Sequence, residues 1–142
     1  MIKVKLQQRV NATPDVVCAL LLEHDKLNRF FNADFKQTKA ENKQQPSGGA
    51  GTIRQVSLHG QTFFEQIISA TTQHICYRII GKGPVYKHQG DILLSENIGG
   101  TTIDYTIVCQ APWWQPNIIV QAIITRDIKQ ALAKLARYCD ES

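Results

Sequence analysis

A chain of 142 residues, 43% hydrophobic and 20% charged, has the size and makeup of one globular domain that can bury a core. Its net charge of +4 comes from scattered residues such as Lys3, Arg9, Lys36, Arg78, Lys129 and Arg137, with no block of five like charges. No basic run alternates with aromatics either, so composition points away from a nucleic-acid surface.

The first residues alternate: Ile2, Val4 and Leu6 are separated by lysines and followed by glutamine, the pattern of a half-buried strand with no signal-peptide core. Thr13-Pro14-Asp15 then supplies a helix cap, a proline at the first helical position and an early acid, predicting a helix to about His24. A second short helix is expected over Asp25 to Phe31, with Leu27, Phe30 and Phe31 on one side. Six strands are predicted next, over 34–43, 51–58, 61–70, 73–80, 88–95 and 101–110, separated mostly by Gly-, Pro- and Asn-rich turns. Pro112-Trp-Trp-Gln-Pro116 opens a final helix to Cys139, with Val120, Ile124, Ile128, Ala131 and Leu135 as its apolar stripe.

Short connections make consecutive strands antiparallel neighbours, and the only long amphipathic element able to cover one sheet face is the last helix. The expected architecture is α+β: a meander of six strands plus the N-terminal strand, wrapped on the C-terminal helix, with two short helices near one end. The whole of 1–142 reads as one domain. Cys18, Cys76, Cys109 and Cys139 lie far apart and form no CxxC pair, so they read as reduced, buried thiols of a cytoplasmic protein. The segment NIIVQAIIT is too short and too polar to span a bilayer, so no stable membrane insertion is expected.

Parity along the strands predicts the side chains that face the helix. A two-residue turn at His59-Gly60 pairs Leu58 with Gln61 and sets Arg54 opposite Glu65, on a face shared with Val56, Leu58, Phe63 and Ile67. Two opposite charges on the greasier face are unusual and ask for an explanation. The same counting turns Ile75, Tyr77 and Ile79 inward. A four-residue loop, 97–100, places Ile92 beside Tyr105, Gly90 beside Ile107 and His88 beside Cys109, all facing inward. An apolar face with a few directing polar groups is the usual makeup of a small-molecule site. The candidate ligand-binding set is therefore Arg54, Val56, Leu58, Phe63, Glu65, Tyr77, Ile79, His88, Gly90, Ile92, Tyr105 and Ile107, with Val120, Ile124 and Ile128 from the helix.

The ordered pattern GTIRQV, FEQI, YRIIG, HQGDILL and GGTTIDYTI before a long last helix resembles the START-like (Bet v 1-like, SRPBCC) superfamily. It is most similar to the polyketide cyclase/dehydrase-like branch, with kinship to the abscisic-acid receptors of plants. The resemblance covers nearly the whole chain and implies a helix-grip fold: a curved seven-stranded antiparallel sheet around the C-terminal helix, with a cavity between them. It also implies that the arginine of the G-x-[IV]-R element and the glutamate of the next strand, here Arg54 and Glu65, point into that cavity.

These readings lead first to a monomeric or weakly dimeric binder of a small hydrophobic ligand of lipid, isoprenoid/quinone or aromatic polyketide type. The alternative is a cyclase or dehydratase in which Glu65 or His88 moves protons, and a third option is an interaction module using the sheet edge. Arg54–Glu65 could instead be an ion pair that only fixes register. Trp113 and Trp114 fit either an entrance guard or an end seal. No metal-ligand spacing, P-loop or G-x-S-x-G elbow is present, so neither metal nor cofactor is expected.

Overall fold

The computed structural model describes residues 1–141. Strand β1 (Ile2–Val10) leads into helix α1 (Pro14–Leu21) and a 3-10 segment, His24–Arg29. Strands β2 (Asp34–Lys39), β3 (Ile53–Leu58), β4 (Gln61–Ala70), β5 (His74–Ile80), β6 (Tyr86–Asn97) and β7 (Gly100–Gln110) follow, and helix α2 (Asn117–Asp140) ends the chain. The seven strands form one antiparallel sheet in the order β1-β7-β6-β5-β4-β3-β2, so β1 closes the meander by pairing with β7. The α+β, helix-grip expectation is met. α2 lies across the inner face and packs along β1, burying Val120, Ile128, Ala131, Leu132, Leu135 and Cys139. All four cysteines are free and buried.

The sheet must curve to reach around a helix, and three one-residue irregularities accompany that curvature. Register slips between Gln37 and Lys39 against β3, between Ile67 and Ser69 against β5, and between Tyr86 and Gln89 against β7. Each extra residue bends its strand and increases local twist. At the third, Lys87 adopts a left-handed backbone (φ 49°).

Several predicted boundaries change. The second short helix is a 3-10 segment, and Phe30 and Phe31 diverge from it: Phe30 is buried edge-on against Tyr138, while Phe31 meets Phe35. The β2 strand stops at Lys39 rather than 43. Residues 40–52 instead fold back as a loop, held by Asn42 N–H to Ala50 O, Gly51 N–H to Ile67 O and Gly48 N–H to Glu41 Oε1. Gly48 is buried with φ +75°, and a Cβ there would strike the Leu22 carbonyl oxygen. The β6–β7 turn is tighter than predicted, with Asn97 pairing Gly100, yet Glu96 opposite Thr101 and Ile92 opposite Tyr105 hold as expected. His88 does not pair with Cys109, because the extra residue at Lys87 intervenes.

Candidate functional site

The predicted charge pair is real and deep. Gly60 (φ 78°) and His59 (φ 51°) form the tight turn that a two-residue hairpin requires, and Arg54 pairs directly with Glu65. Both residues are buried, at 6% and 7% exposure. Arg54 Nε and Nη2 both bind Glu65 Oε1, at 2.9 and 2.8 Å. Glu65 Oε2 takes no protein donor among the described residues.

Arg54 has more partners than the sequence suggested. Its guanidinium lies between the rings of Phe35 (5.2 Å) and Tyr77 (4.9 Å). Its Nη1 donates to Nδ1 of His24 at 3.1 Å, and His24 Nε2 donates to the Gly48 carbonyl at 2.8 Å. Those two bonds fix one neutral tautomer, protonated on Nε2. Burial and then the Arg54 charge lower the His24 pKa to about 4. Burial alone opposes the Arg54 charge, but Glu65, Tyr77 and Tyr105 outweigh it and hold its pKa above the ordinary value. His24 is 1% exposed, and nothing in the local sequence marks it, since its partners arrive from 40–52 and β3.

Around this group lies a cavity of about 320 Å³, at the lower end of the range for small-molecule sites. Glu65, Arg54, Tyr77 and Tyr105 form a polar floor, where the two tyrosine hydroxyls hydrogen-bond each other. Burial raises the pKa of both phenols, keeping them neutral. Val56, Leu58, Phe63, Ile79 and Ile107 give one wall, and Val120, Ile123, Ile124 and Ile128 of α2 give the other. Phe31 and Phe35 line the side nearest β2. The mouth is bordered by His59 and Gln61, by Pro84 and Val85, and by Trp114 and Gln115. His59 Nε2 reaches Asp127 Oδ2 of α2 across it at 3.2 Å. A wider depression of about 580 Å³ outside the mouth, lined by Asn28, Asn32, Asp34, Ser57 and Thr62 among others, is polar and open. The recessed apolar space is the better candidate.

His88 also lines the cavity, tilted against Tyr77 with centroids 5.5 Å apart. Its Nδ1 accepts the Ile79 N–H at 3.2 Å, so the neutral ring carries its proton on Nε2, which has no protein partner among the described residues. Burial lowers its pKa, which favours that neutral form. His88 thus presents a donor, and Glu65 Oε2 an acceptor.

Two predicted members fall outside the lining. Ile92 is buried in the core, opposite both Ile75 and Tyr105. Gly90 was expected to leave inward space for a ligand, but the Tyr77 ring already occupies that space. A Cβ at Gly90 would lie 2.5 Å from Tyr77 Cε1 and 2.8 Å from its hydroxyl. The ring is held by Arg54, Tyr105 and His88, so it has little freedom to move away. Gly90→Ala is therefore expected to destabilise by about 1–3 kcal/mol through overpacking, read by urea denaturation. A neutral result would show that Tyr77 is free to swing. Residues the sequence reading left out of the set include Phe31, Phe35, Pro84, Val85, Ile123 and Asp127. The Ile123-Ile124 doublet was a usable signal, because it widens the helix's apolar face beyond one stripe.

No curated protein sequence matches the chain. Among solved structures, a START superfamily protein from Mycobacterium smegmatis superposes with a TM-score of 0.80 at 11% identity, covering 98% of this chain and 97% of that one. The protein XoxI from Bacillus cereus gives 0.74 at 16% identity, with 98% and 96% covered. The Aha1 dimer from Colwellia psychrerythraea gives 0.72 at 13% identity, also with 98% and 96% covered. At these identities the likeness speaks for the fold alone. Residues 1–140 match the family described as polyketide cyclase / dehydrase and lipid transport, and the chain, with its START-like helix-grip fold, belongs to that family.

Proposed function

We propose that the chain binds a small, mainly apolar ligand with a neutral polar head in the cavity between the sheet and α2. The observation that carries this reading is the recessed space of about 320 Å³, apolar on its walls and polar at its floor and mouth. The lipid-transport part of the family description agrees with it. The state of Arg54 sets the head chemistry. A free arginine would select an acid, but this one is paired with Glu65, hydrogen-bonded to His24 and covered by two rings. What the floor still offers is the acceptor Glu65 Oε2 and the donor His88 Nε2, beside one tyrosine O–H and the two Arg54 N–H groups that these bonds leave over. A hydroxyl, phenol or carbonyl head fits these better than a carboxylate does.

The test is a stability screen. A compound that binds only the folded state raises stability by RT ln(1 + [L]/Kd), about 2.7 kcal/mol at a hundredfold excess over Kd. Apolar phenols and alcohols are expected to give such a shift, and their carboxylate counterparts little. No shift from any neutral compound would defeat the reading.

The acid–base alternative rests on one atom, Glu65 Oε2. His88 as placed is a poor base, since Nδ1 is occupied and Nε2 already bears a proton. Glu65→Gln retains the shape of that side chain. In a binder it changes affinity modestly, whereas proton transfer by Glu65 would make turnover fall about two to four orders of magnitude.

A further inference from the structure

Besides the His59 turn, two segments line the cavity, 81–87 and 111–126. Large apolar side chains stand out of them into solvent: Trp113 is 93% exposed, Ile118 78%, and Trp114, Ile119 and Tyr86 more than half. Scattered exposed aliphatics are ordinary, but two tryptophans beside two isoleucines and a tyrosine at one opening are not. This patch is continuous with the cavity, because Trp114 and Val85 line the cavity from the same two segments.

Charge is distributed to match. The two segments contain Lys82 and Lys87, both exposed, and not one carboxylate, while their third cation, Arg126, is paired with the adjoining Asp127. The first turn of α2 carries no acid and Pro116 gives no side-chain cap, so its positive end is left uncompensated. The acids of the mouth lie outside these two segments: Asp34 beside Ala33, and Asp127 held by His59 and Arg126. Exposed tryptophan and tyrosine, protruding isoleucine and flanking lysine together form the composition that favours a membrane–water interface.

We propose that this rim is a peripheral docking face for an anionic lipid bilayer, which brings the open cavity mouth against the lipid surface. No helix among the described residues is long and apolar enough to cross a membrane, so the contact is one of lying on the surface. The proposal goes beyond ligand binding and is tested without a ligand. Trp113 and Trp114 are the chain's two tryptophans, so tryptophan emission, excited selectively over the four tyrosines, reports on this patch and the mouth beside it.

The experiment adds the whole protein to vesicles of phosphatidylcholine alone, or of equal parts phosphatidylcholine and phosphatidylglycerol. It follows co-sedimentation and tryptophan emission. The anionic vesicles are expected to retain the protein and shift its emission to the blue, with much weaker binding to the neutral ones and to both at high salt. Lys82→Glu combined with Lys87→Glu should weaken partitioning about tenfold or more, and Trp113→Ser combined with Ile118→Ser should remove most of it. All four positions are exposed, so these variants are expected to fold, which far-UV circular dichroism checks. Absence of retention on anionic vesicles overturns the proposal, as does retention that neither double variant changes. The patch would instead be a contact with a second copy if sedimentation velocity shows a dimer that Trp113→Ser/Ile118→Ser converts to monomer while anionic vesicles retain neither form. That outcome also overturns it.

Discussion

Glu65→Ala is expected to cost about 3–5 kcal/mol of folding stability, the largest single-residue effect outside the apolar core. The charge left behind has nowhere to go. Arg54 is 6% exposed and lies between Phe35 and Tyr77, and its remaining polar neighbours, His24, Tyr77 and Tyr105, are neutral. None of them can compensate a guanidinium as a carboxylate does. Arg54→Leu combined with Glu65→Leu removes both charges and should cost less, about 1–3 kcal/mol. That residual arises because His24 Nδ1 loses its donor and becomes a buried, unsatisfied acceptor. Urea denaturation of the two variants decides the matter. If the double variant is the less stable, the ion pair stabilises by more than its desolvation costs. A single-variant cost under about 1 kcal/mol would mean that cavity water solvates Arg54 much as at a surface pair.

The parts of this site legible in sequence are those governed by the period-2 alternation of a strand. His59-Gly60 marks a two-residue turn, and from it the facing of Arg54, Glu65, Val56 and Phe63 follows by counting. Counting also carried Tyr77, Tyr105, Ile79 and Ile107 to the cavity, because β5 and β7 are regular there. It failed for the pairing of His88 with Cys109, where β6 gains a residue, although His88 still lines the cavity. Lys87 is a lysine in a left-handed conformation, and nothing in YKHQG announces that the ladder slips at that point. Gly90 shows a different failure. A glycine on an inward face signals close approach, but not whether a ligand or a neighbouring ring makes the approach. His24 was beyond reach altogether. Its role depends on Gly48, which is brought to it only by the folding of the 40–52 loop, and on Arg54 from a strand far along the chain.

His24 also predicts a pH dependence. In the unfolded chain its imidazole titrates near the ordinary value of about 6.5, whereas in the folded protein burial and the Arg54 charge lower it to about 4. Between those values the unfolded state binds the extra proton, so stability rises with pH across the window and is complete above the unfolded value. Acidification through the window removes it, and below the folded pKa no more is lost from this group. A difference of that size corresponds to roughly 3 kcal/mol. The charged groups facing the ring are Arg54, which opposes its protonation, and Asp25 and Glu65, which favour it without prevailing. His88 is lowered in the same direction by burial and adds to the slope. Denaturation midpoints measured from neutral pH to pH 4 should therefore fall steeply, and the His24→Gln variant should fall less steeply because no imidazole is left to charge. A direct reading comes from the imidazole proton resonances of the folded protein. The His24 imidazole should remain neutral down to about pH 4. If the His24 imidazole instead titrates near the ordinary value of about 6.5, the Arg54–His24–Gly48 chain is not formed in solution. The cavity floor would then be looser than the Glu65–Arg54–His24 network requires.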